Sequence, residues 1–348
     1  IYDMKVLLTG ATGDVGKHFL QKLVDDGHSA VAISSQPHEQ SDPNIVWEQA
    51  NLSEPQTHEP DFWDDIFSRH GVEAVINAAG ICYEESERGN TFENVNFQPV
   101  PAIAQACRNC GINRFIQIST LTAGLPPVEG DERSYAGTNR RAEEAIREFS
   151  DLSWTIIRPV TVYNPEEADR TMSFPDAAAY PIVPIIGSGQ QTIQPIHIKD
   201  LVRVTELLGD DRQKHQTLNA VGPDQIVAED WIKIIKSARE EDFRAIHLPY
   251  EVMGPLVEQY TIGSANPTFV GVMEKRETPS APIDHQPFAE AVGIDRMTSV
   301  FEAYEIETVF KGPPSVKLAA LVAEHPGRME AVHQGFVGKA GGESQAQE

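Results

Sequence analysis

Short apolar runs alternate with amphipathic stretches from the start of the chain to about residue 220. Runs such as KVLLTG, VEAVINAAG and INRFIQIST are bounded by turn residues, which is typical of buried strands. Between them, stretches such as DVGKHFLQKLVDDGH repeat their apolar positions at helical spacing. This alternation predicts βαβ units and a parallel sheet covered by helices on both faces. The pattern therefore predicts an α/β protein with a Rossmann-type doubly wound sheet.

The alternation loosens after about residue 165, where prolines accumulate, and returns in IQPIHIKDLVRVTELL. We therefore expect a dinucleotide-binding domain over residues 1–165, to which residues 187–222 return. Residues 166–186 and 223–305 are predicted to form a smaller, mixed α/β substrate region. The Gly-, Gln- and Glu-rich residues 306–348 are predicted to be a partly flexible C-terminal extension.

Charge and hydropathy argue against two classes, nucleic-acid-binding proteins and membrane-spanning proteins. The net charge of -24, from 52 acidic against 28 basic residues, argues against a nucleic-acid-binding protein, which needs clustered Lys and Arg. Such acidity is also typical of proteins adapted to high salt. No apolar run approaches the roughly 18 residues of a membrane span, and no signal-peptide pattern precedes the first strand. These features predict a soluble, cytoplasmic protein.

The spacing of Cys107 and Cys110 matches the CxxC pattern of redox and metal sites. Gly111 follows directly and is a typical helix C-cap, so the pair is predicted to lie at a helix C-terminus. A redox CxxC favours a helix N-terminus, where the dipole stabilises the thiolate, and no second Cys/His pair completes a zinc site. We therefore predict helix packing for this pair and no metal site in the protein.

The segment TGATGDVG places Gly10, Gly13 and Gly16 between the first predicted strand and the first predicted helix. Glycines at this spacing allow a tight turn, close approach of a pyrophosphate to the backbone, and close packing of the helix on the strand. The helix N-terminus offers free amides and the positive end of its dipole to the phosphates. Because the loop follows a strand and opens a βαβ unit, it predicts a dinucleotide site.

Several further segments resemble the motifs of one family. VINAAG (75–80), ANLSEP (50–55), IRPVTVYNP (157–165), QPIHIKDLV (194–202) and LNAVGPD (218–224) resemble motifs of the short-chain dehydrogenase/reductase superfamily, in its extended and atypical members. The chain is most similar to the branch of the NAD(P)H-binding accessory subunit of respiratory complex I and its stand-alone bacterial relatives. The resemblance implies a bound nicotinamide dinucleotide, an unknown small-molecule substrate and, in the complex I branch, a protein complex as partner.

The resemblance also implies which residues contact the cofactor. Asn51 stands where the family usually has Asp. The implied positions are Gly10, Thr12, Gly13, Asp14, Val15, Gly16, Ser34, Ser35, Asn51, Leu52, Ala78, Ala79, Gly80, Asn96, Ser119, Tyr135, Asn139, Pro159 and Val162.

The end of the second predicted strand bears on the choice between NAD and NADP. An acid there binds the ribose hydroxyls and repels a 2′-phosphate. The chain instead has AISSQPHEQ, with Ser34, Ser35 and His38, and Lys17 could reach a 2′-phosphate. Together with the resemblance, this favours NADP(H) over NAD(H), although Glu39 lies close by.

The segment RSYAGTNRRAEEAI carries the candidate chemistry. In working members of the family, a Tyr exchanges the proton, a Ser or Thr orients the carbonyl, and a Lys four residues after the Tyr lowers its pKa. Tyr135 matches the Tyr, and Ser119 or Thr120 matches the hydroxyl. Asn139 occupies the Lys position and brings no charge. Neighbouring helix positions point elsewhere, so we expect neither Arg140 nor Arg141 to replace the Lys.

Three functions follow from this site. The first is an NAD(P)(H)-binding oxidoreductase with weak or specialised turnover. The second is an active sugar-nucleotide epimerase or dehydratase, or a carbonyl reductase, that uses Tyr135 and Ser119. The third is a non-catalytic, nucleotide-stabilised subunit of a larger complex. His197 and Asp200 are predicted to be structural, and Phe62 and Trp63 to belong to the core.

Overall fold

A seven-stranded parallel sheet forms the centre of the molecule in a computed structural model. The structure describes residues 3–39, 42–127, 129–167, 182–186, 189, 192–238, 244–248 and 282–304. In chain order the strands are β1 (Lys5–Thr9), β2 (Ser29–Ser34), β3 (Ile45–Gln49), β4 (Ala74–Asn77), β5 (Arg114–Ile118), β6 (Ser153–Pro159), β7 (Val162–Tyr163), β8 (Ile182–Ile186), β9 (Thr192–Ile193), β10 (Ile196–His197), β11 (Gln216–Ala220), β12 (Ile226–Val227) and β13 (Arg244–Leu248).

Helices connect these strands and cover both faces of the sheet. They are α1 (Gly16–Asp25), α2 (Pro60–His70), α3 (Pro99–Cys110), α4 (Tyr135–Arg147), α5 (Ile198–Leu201), α6 (Ala228–Ala238), α7 (Gln286–Ala291) and α8 (Val300–Ala303). Shorter 3₁₀ segments lie at Pro55–His58, Ser86–Arg88, Leu121–Gly124, Pro165–Glu167, Val202–Gly209 and Asp211–Gln213, and a π-helical turn lies at Glu93–Phe97.

Alternate residues of each central strand enter different halves of the core. In β1, Leu8 packs in a cluster with Phe19 of α1, whereas its neighbour Leu7 packs in a second cluster with Trp63 and Phe67 of α2. Each fully buried side chain of this kind contributes about 1.5–3 kcal/mol to folding. The continuous apolar runs seen in the sequence arise because both faces of the strands are buried.

The strand order is β11-β6-β5-β4-β1-β2-β3. The chain first builds outward from β1 to β3 and then returns to the other side of β1 with β4, so the order reverses between β1 and β4. In open parallel sheets, ligands bind in the crevice at the carboxyl ends of the strands where the order reverses. The glycine loop after β1 and the segment after β4 both lie at this point. The predicted Rossmann-type fold is therefore confirmed.

The segment predicted to return to the first domain contributes β11, which pairs with β6 at the edge of the sheet. Of the predicted substrate region, the structure describes residues 166, 167, 182–186, 223–238, 244–248 and 282–304. The remainder of that region and the predicted extension 306–348 lie outside the described residues. The expected division into domains therefore stays a prediction.

Two smaller predictions about the core are confirmed. Cys110 is the last residue of α3, and Gly111 caps the helix in the left-handed conformation at φ 72°. Cys107 is buried among the packed helices, as are Trp63 and, in part, Phe62. No helix in the described ranges is long and apolar enough to cross a membrane.

Candidate nucleotide and active site

The loop between β1 and α1 needs two of its glycines for the fold itself. Gly10 has φ +66°, and a Cβ there would lie 2.7 Å from the Cα of Ala79. A Cβ on Gly16 would overlap the carbonyl oxygen of Gly10. These two positions hold the loop tightly against α1 and against the segment after β4.

Gly13 is different because a side chain there would conflict with the fold much less than one at Gly10 or Gly16. A Cβ there would meet only the oxygen of Gly10, at 3.3 Å, and its φ lies outside the left-handed region. Gly13 and its neighbours Thr12 and Asp14 are exposed. Helix α1 begins at Gly16 without a side-chain cap, so the positive end of its dipole lies at this open loop, while the Lys17 amide donates to the Gly13 carbonyl at 3.0 Å. A glycine that leaves room here fits close approach of a phosphate group.

The segment after β4 is held in place by hydrogen bonds from both sides. The amide of Ala79 donates to Thr9 Oγ1 over 3.1 Å. Asn96 accepts from the Ile81 amide at 2.8 Å and donates to the Ile81 carbonyl at 3.0 Å. The predicted positions Ala78, Ala79, Gly80 and Asn96 therefore lie together, next to the glycine loop.

The residues at the ends of β2 and β3 form a second group. Ser34 is buried, and its hydroxyl accepts from the Gln36 amide at 3.1 Å and bonds His38 Nε2 at 3.1 Å. The His38 ring stacks on Trp47 with ring centroids 4.2 Å apart. Ser35 is exposed beside it. The imidazole is thus fixed at the end of β2, where a dinucleotide fold meets the adenosine ribose.

Asn51 and Leu52 follow β3 at the same edge of the sheet. Asn51 Oδ1 accepts from both the amide and the hydroxyl of Ser53, at 3.2 and 2.9 Å, so this side chain stabilises its own turn. Leu52 is buried. On the opposite side of β1 in the sheet, Pro159 is the last residue of β6, and Val162 is buried in β7.

Tyr135 is the first residue of α4 and lies at the centre of the candidate active site. Ser134 caps the helix by accepting from the Gly137 amide at 3.1 Å. The Tyr135 hydroxyl lies beside the side chains of Thr120 and Cys82, and its ring meets the edge of Phe92 at a centroid distance of 5.7 Å. Burial raises the pKa of Tyr135 well above its ordinary value, and the neighbouring Cys82 adds to this. Tyr135 therefore stays protonated across the neutral range.

The two candidate hydroxyls after β5 have different partners. Thr120 lies beside the Tyr135 hydroxyl, whereas Ser119 Oγ donates to Glu143 Oε1 at 2.6 Å. Thr120 also lies 3.2 Å from Thr122 Oγ1. Of the two hydroxyls that the sequence offers, Ser119 is engaged by the buried carboxylate of Glu143, and Thr120 is the one that lies beside the Tyr135 hydroxyl.

Asn139 lies one turn after Tyr135 and is buried. Its Nδ2 donates to the Tyr135 carbonyl at 2.8 Å, so the amide bonds its own helix and brings no charge to the phenol. Arg140 is held by Asp131 and by the Ala123 and Leu125 carbonyls, and Arg141 is held by Glu93. Neither guanidinium bonds Tyr135, as the sequence predicted.

A buried ion pair behind the site was not predicted. Glu143 is fully buried and accepts from Arg158 Nε at 2.8 Å and Nη2 at 2.5 Å, and from Arg147 at 2.9 Å. It joins α4 to the end of β6. Burial works to raise the pKa of Glu143, but the hydrogen bonds and charge of Arg158, with Ser119 and Arg147, outweigh it and hold this pKa below its ordinary value. The sequence held one indication that Glu143 belongs to the site, because it lies two turns after Tyr135 on the same helix face.

His197 and Asp200 have structural partners. His197 is buried, and its Nδ1 accepts from the Lys199 amide at 3.0 Å. Burial lowers the pKa of His197 to about 4, so the ring is neutral. Asp200 accepts from the amide and hydroxyl of Thr298, at 2.7 and 3.1 Å. Within the part of the chain that the structure describes, no group of three His, Cys, Asp or Glu side chains could hold a metal ion.

Comparison with known proteins agrees with this geometry. The family model described as "NAD dependent epimerase/dehydratase family" matches residues 6–220. Among curated proteins, ceramide reductase of Caulobacter vibrioides is 30% identical over 56% of this chain and 57% of its own length. NADH dehydrogenase [ubiquinone] 1 alpha subcomplex subunit 9 of Arabidopsis thaliana is 27% identical over 70% of this chain and 60% of its own length. The chain thus spans less than two thirds of the length of these relatives.

Solved structures share the fold. UDP-glucose 4-epimerase from Thermotoga maritima superposes with a TM-score of 0.66 at 17% identity, covering 87% of this chain and 96% of that one. UDP-glucuronic acid 4-epimerase from Bacillus cereus, in complex with NAD, gives 0.63 at 17% identity, covering 87% and 96%. The family match extends from β1 to β11 and includes the glycine loop, Tyr135 and the Glu143–Arg158 ion pair, so the chain belongs to the NAD dependent epimerase/dehydratase family.

Proposed function

We propose that this chain binds a nicotinamide dinucleotide across the glycine loop and reduces a carbonyl substrate with slow turnover. The observation that carries the proposal is Gly13, which is exposed beside the uncapped start of α1 and where a Cβ would crowd only the Gly10 oxygen, at 3.3 Å. Family membership and the NAD named in the titles of similar structures support the nucleotide. The ceramide reductase of Caulobacter vibrioides supports a reductase.

The roles of the residues follow from their contacts. A nicotinamide nucleotide held at the glycine loop would supply the hydride for the reduction. Tyr135 donates the proton to the substrate oxygen, and Thr120 orients the Tyr135 hydroxyl and the carbonyl. Because the pKa of Tyr135 is raised and Asn139 supplies no charge, the reverse direction, in which Tyr135 must accept a proton, is disfavoured at neutral pH.

We propose a preference for NADP(H) over NAD(H). Ser34, Ser35 and His38 offer hydroxyls and an imidazole at the end of β2, and His38 is fixed by Ser34 and by its stack on Trp47. A 2′-phosphate can accept hydrogen bonds from these groups, whereas a carboxylate at this position would repel it.

Calorimetric titration with NADPH, NADP+, NADH and NAD+ tests both statements, after any co-purifying nucleotide has been removed. We expect NADPH to bind at least about tenfold more tightly than NADH, which corresponds to roughly 1.4 kcal/mol. Equal affinities would reject the NADP preference, and no binding of any of the four nucleotides would reject the proposed function.

Asn139→Lys tests the cause of the slow turnover. We expect the new ammonium group to lower the pKa of Tyr135, since a positive charge stabilises the phenolate, and to raise turnover at neutral pH by about tenfold or more per pKa unit gained. Ultraviolet difference titration, with Tyr135→Phe subtracted, reads the phenol directly and needs no substrate. Asn139→Gln is the matched control because it adds length without charge. If the two variants titrate alike, charge at position 139 does not limit Tyr135.

The same contacts favour one other function, a nucleotide-stabilised subunit without turnover, as the similarity to the complex I subunit from Arabidopsis thaliana suggests. It is favoured by the neutral, buried Tyr135 and by the Asn139 amide bonded to its own helix. Purification from the native source separates the two functions. A chain that sediments with a large complex and retains its nucleotide through dialysis supports the subunit, and a free chain that exchanges nucleotide supports the reductase.

A further inference from the structure

A single loop, residues 121–134, joins the two side chains to which the proposed reaction assigns roles. It begins directly after Thr120 and ends directly before Tyr135, so the placement of its two limbs sets where both side chains lie. Arg140, in the second turn of α4, bonds this loop on both limbs. The contacts of Arg140 therefore bear on the geometry of the candidate active site.

The Arg140 guanidinium uses all three of its nitrogens on the loop. Nε donates to the Ala123 carbonyl and Nη2 to the Leu125 carbonyl, each at 3.2 Å, on the first limb. Nη1 donates to Asp131 Oδ1 at 3.2 Å on the second limb. The Arg140 and Asp131 side chains are only 16% and 12% exposed, so the ion pair is largely shielded from water. We call this set of contacts the Arg140 bridge.

Each end of the bridge is one backbone hydrogen bond away from the reacting side chains. The Ala123 amide donates to the Thr120 carbonyl at 3.1 Å, within the 3₁₀ segment that follows β5. The Asp131 carbonyl accepts from the Ser134 amide at 2.9 Å, and Ser134 caps α4 directly before Tyr135. The bridge thus connects the backbone at the first side chain to the backbone at the second.

Two glycines show that the limbs pack directly on their supports. A Cβ on Gly137 would overlap the carbonyl oxygen of Asp131, so the second limb lies against the first turn of α4. A Cβ on Gly124 would overlap the guanidinium of Arg158, which belongs to the buried ion pair with Glu143. The first limb therefore lies on the buried ion pair, and the second limb lies on the helix.

We propose that Arg140 is a positioning residue, which holds Thr120 and Tyr135 in register by bridging the two limbs of the loop between them. The proposal rests on the proposed function, in which these two side chains act on one carbonyl. Asn139 brings no charge to the phenol and bonds its own helix. The placement of Tyr135 therefore depends on the loop that leads into α4.

Nitration by tetranitromethane at mildly alkaline pH, with peptide mass spectrometry of the intact chain, tests the bridge without a substrate. The reagent attacks phenolates that it can reach, and burial raises the pKa of Tyr135. In Arg140→Ala we expect Tyr135 to be nitrated at least about tenfold faster, because each pKa unit regained towards the ordinary value raises the phenolate fraction about tenfold. Tyr83, which is exposed, and Tyr163, which is buried, are internal references whose rates should not change.

Two further variants separate geometry from charge. Arg140→Lys keeps the positive charge, but one ammonium group lacks the planar fork that reaches both limbs, so we expect Tyr135 to be nitrated as fast as in Arg140→Ala. Arg108→Ala is the matched control, because it removes an arginine that bonds Asp151 at the surface. It should leave the nitration of Tyr135 unchanged. Thermal melting checks that each variant is folded.

The nitration outcomes separate this proposal from the proposed function. Equal nitration of Tyr135 in wild type and folded Arg140→Ala would overturn the bridge, whether or not nucleotide binds. Full protection of Tyr135 in Arg140→Lys, or faster nitration of Tyr163 together with Tyr135, would also overturn it. Faster nitration of Tyr135 alone, in a protein that binds no nicotinamide nucleotide, would keep the bridge and reject the reductase.

Kinetics give a second measure in a protein that reduces phenanthrenequinone with NADPH. Arg140→Ala should lower kcat about tenfold or more, because misplacement of a reacting group by a fraction of an ångström to an ångström slows the chemical step. The KM for NADPH should stay unchanged, since the bridge lies away from the glycine loop. A raised KM for NADPH with an unchanged kcat would contradict the positioning role.

Discussion

Glu143→Gln is expected to lower the free energy of unfolding by about 3–5 kcal/mol, because it removes one partner of a buried ion pair and leaves the other uncompensated. Glu143 is fully buried and holds Arg158, Arg147 and Ser119 through hydrogen bonds of 2.5–2.9 Å. A glutamine of the same shape can satisfy some of these donors but carries no charge. Urea unfolding followed by fluorescence measures the change.

The matched control is Glu93→Gln, which removes the carboxylate of the Arg141–Glu93 pair. The Arg141 and Glu93 side chains are 33% and 23% exposed, so the loss of unfolding free energy should be no more than about 1 kcal/mol.

The pH dependence of stability gives a second measure of the Glu143 ion pair. Because the pKa of Glu143 is lower in the folded protein, its contribution is fully present above the pKa of an unfolded Glu and is lost as the pH falls through the folded value. The difference between wild type and Glu143→Gln should therefore shrink in acid. Equal losses for both variants would show that the buried pair has no special role.

Much of the fold could be predicted from the sequence because its signals are local. The glycine loop, the apolar runs and the amphipathic helices each follow from neighbouring residues, and the order β3-β2-β1-β4-β5-β6-β11 is consistent with them. The position of Tyr135 at the start of α4 and of Asn139 one turn later is fixed by helical spacing alone. Gly111 is a helix C-cap for a similarly local reason, the left-handed conformation that ends α3.

The contacts inside the site could not be predicted because they join distant segments. Ser119 and Thr120 are adjacent and equally polar, and the sequence does not show that Glu143 on α4 engages Ser119 and leaves Thr120 beside Tyr135. Cys82 comes from the segment after β4 and meets Tyr135 only when α4 packs against that segment. The partner of Glu143, Arg158, lies on a strand, and the sequence carries no local signal that joins them. Local sequence patterns therefore predict the helices and strands, whereas the contacts within the site depend on tertiary packing.

Gly16→Ala is expected to cost about 3 kcal/mol of stability and to abolish nucleotide binding with it. The added Cβ would overlap the carbonyl oxygen of Gly10, a backbone atom that cannot move without displacing the loop from the segment at Ala79. Overpacking of this kind typically costs about 1–3 kcal/mol, and rigid backbone neighbours favour the upper end. Thermal and urea unfolding read the stability, and calorimetry with NADPH reads the binding. Gly209→Ala, where a Cβ meets nothing within 4 Å, is the control for the general effect of the substitution.

Gly13→Ala distinguishes an effect on the stability of the fold from an effect on nucleotide binding. A Cβ at Gly13 touches only the Gly10 oxygen, at 3.3 Å, which is a crowded contact but not an overlap, so Gly13→Ala should cost about 1 kcal/mol, well below the cost of Gly16→Ala. A methyl group at this exposed position would nevertheless occupy the space where a pyrophosphate approaches the backbone, and we expect affinity for NADPH to fall about tenfold or more. If Gly13→Ala is stable and binds nucleotide as well as wild type, the phosphates do not contact this loop. If Gly13→Ala instead unfolds as readily as Gly16→Ala, the glycine serves the fold, and the observation that carries the proposed function is lost.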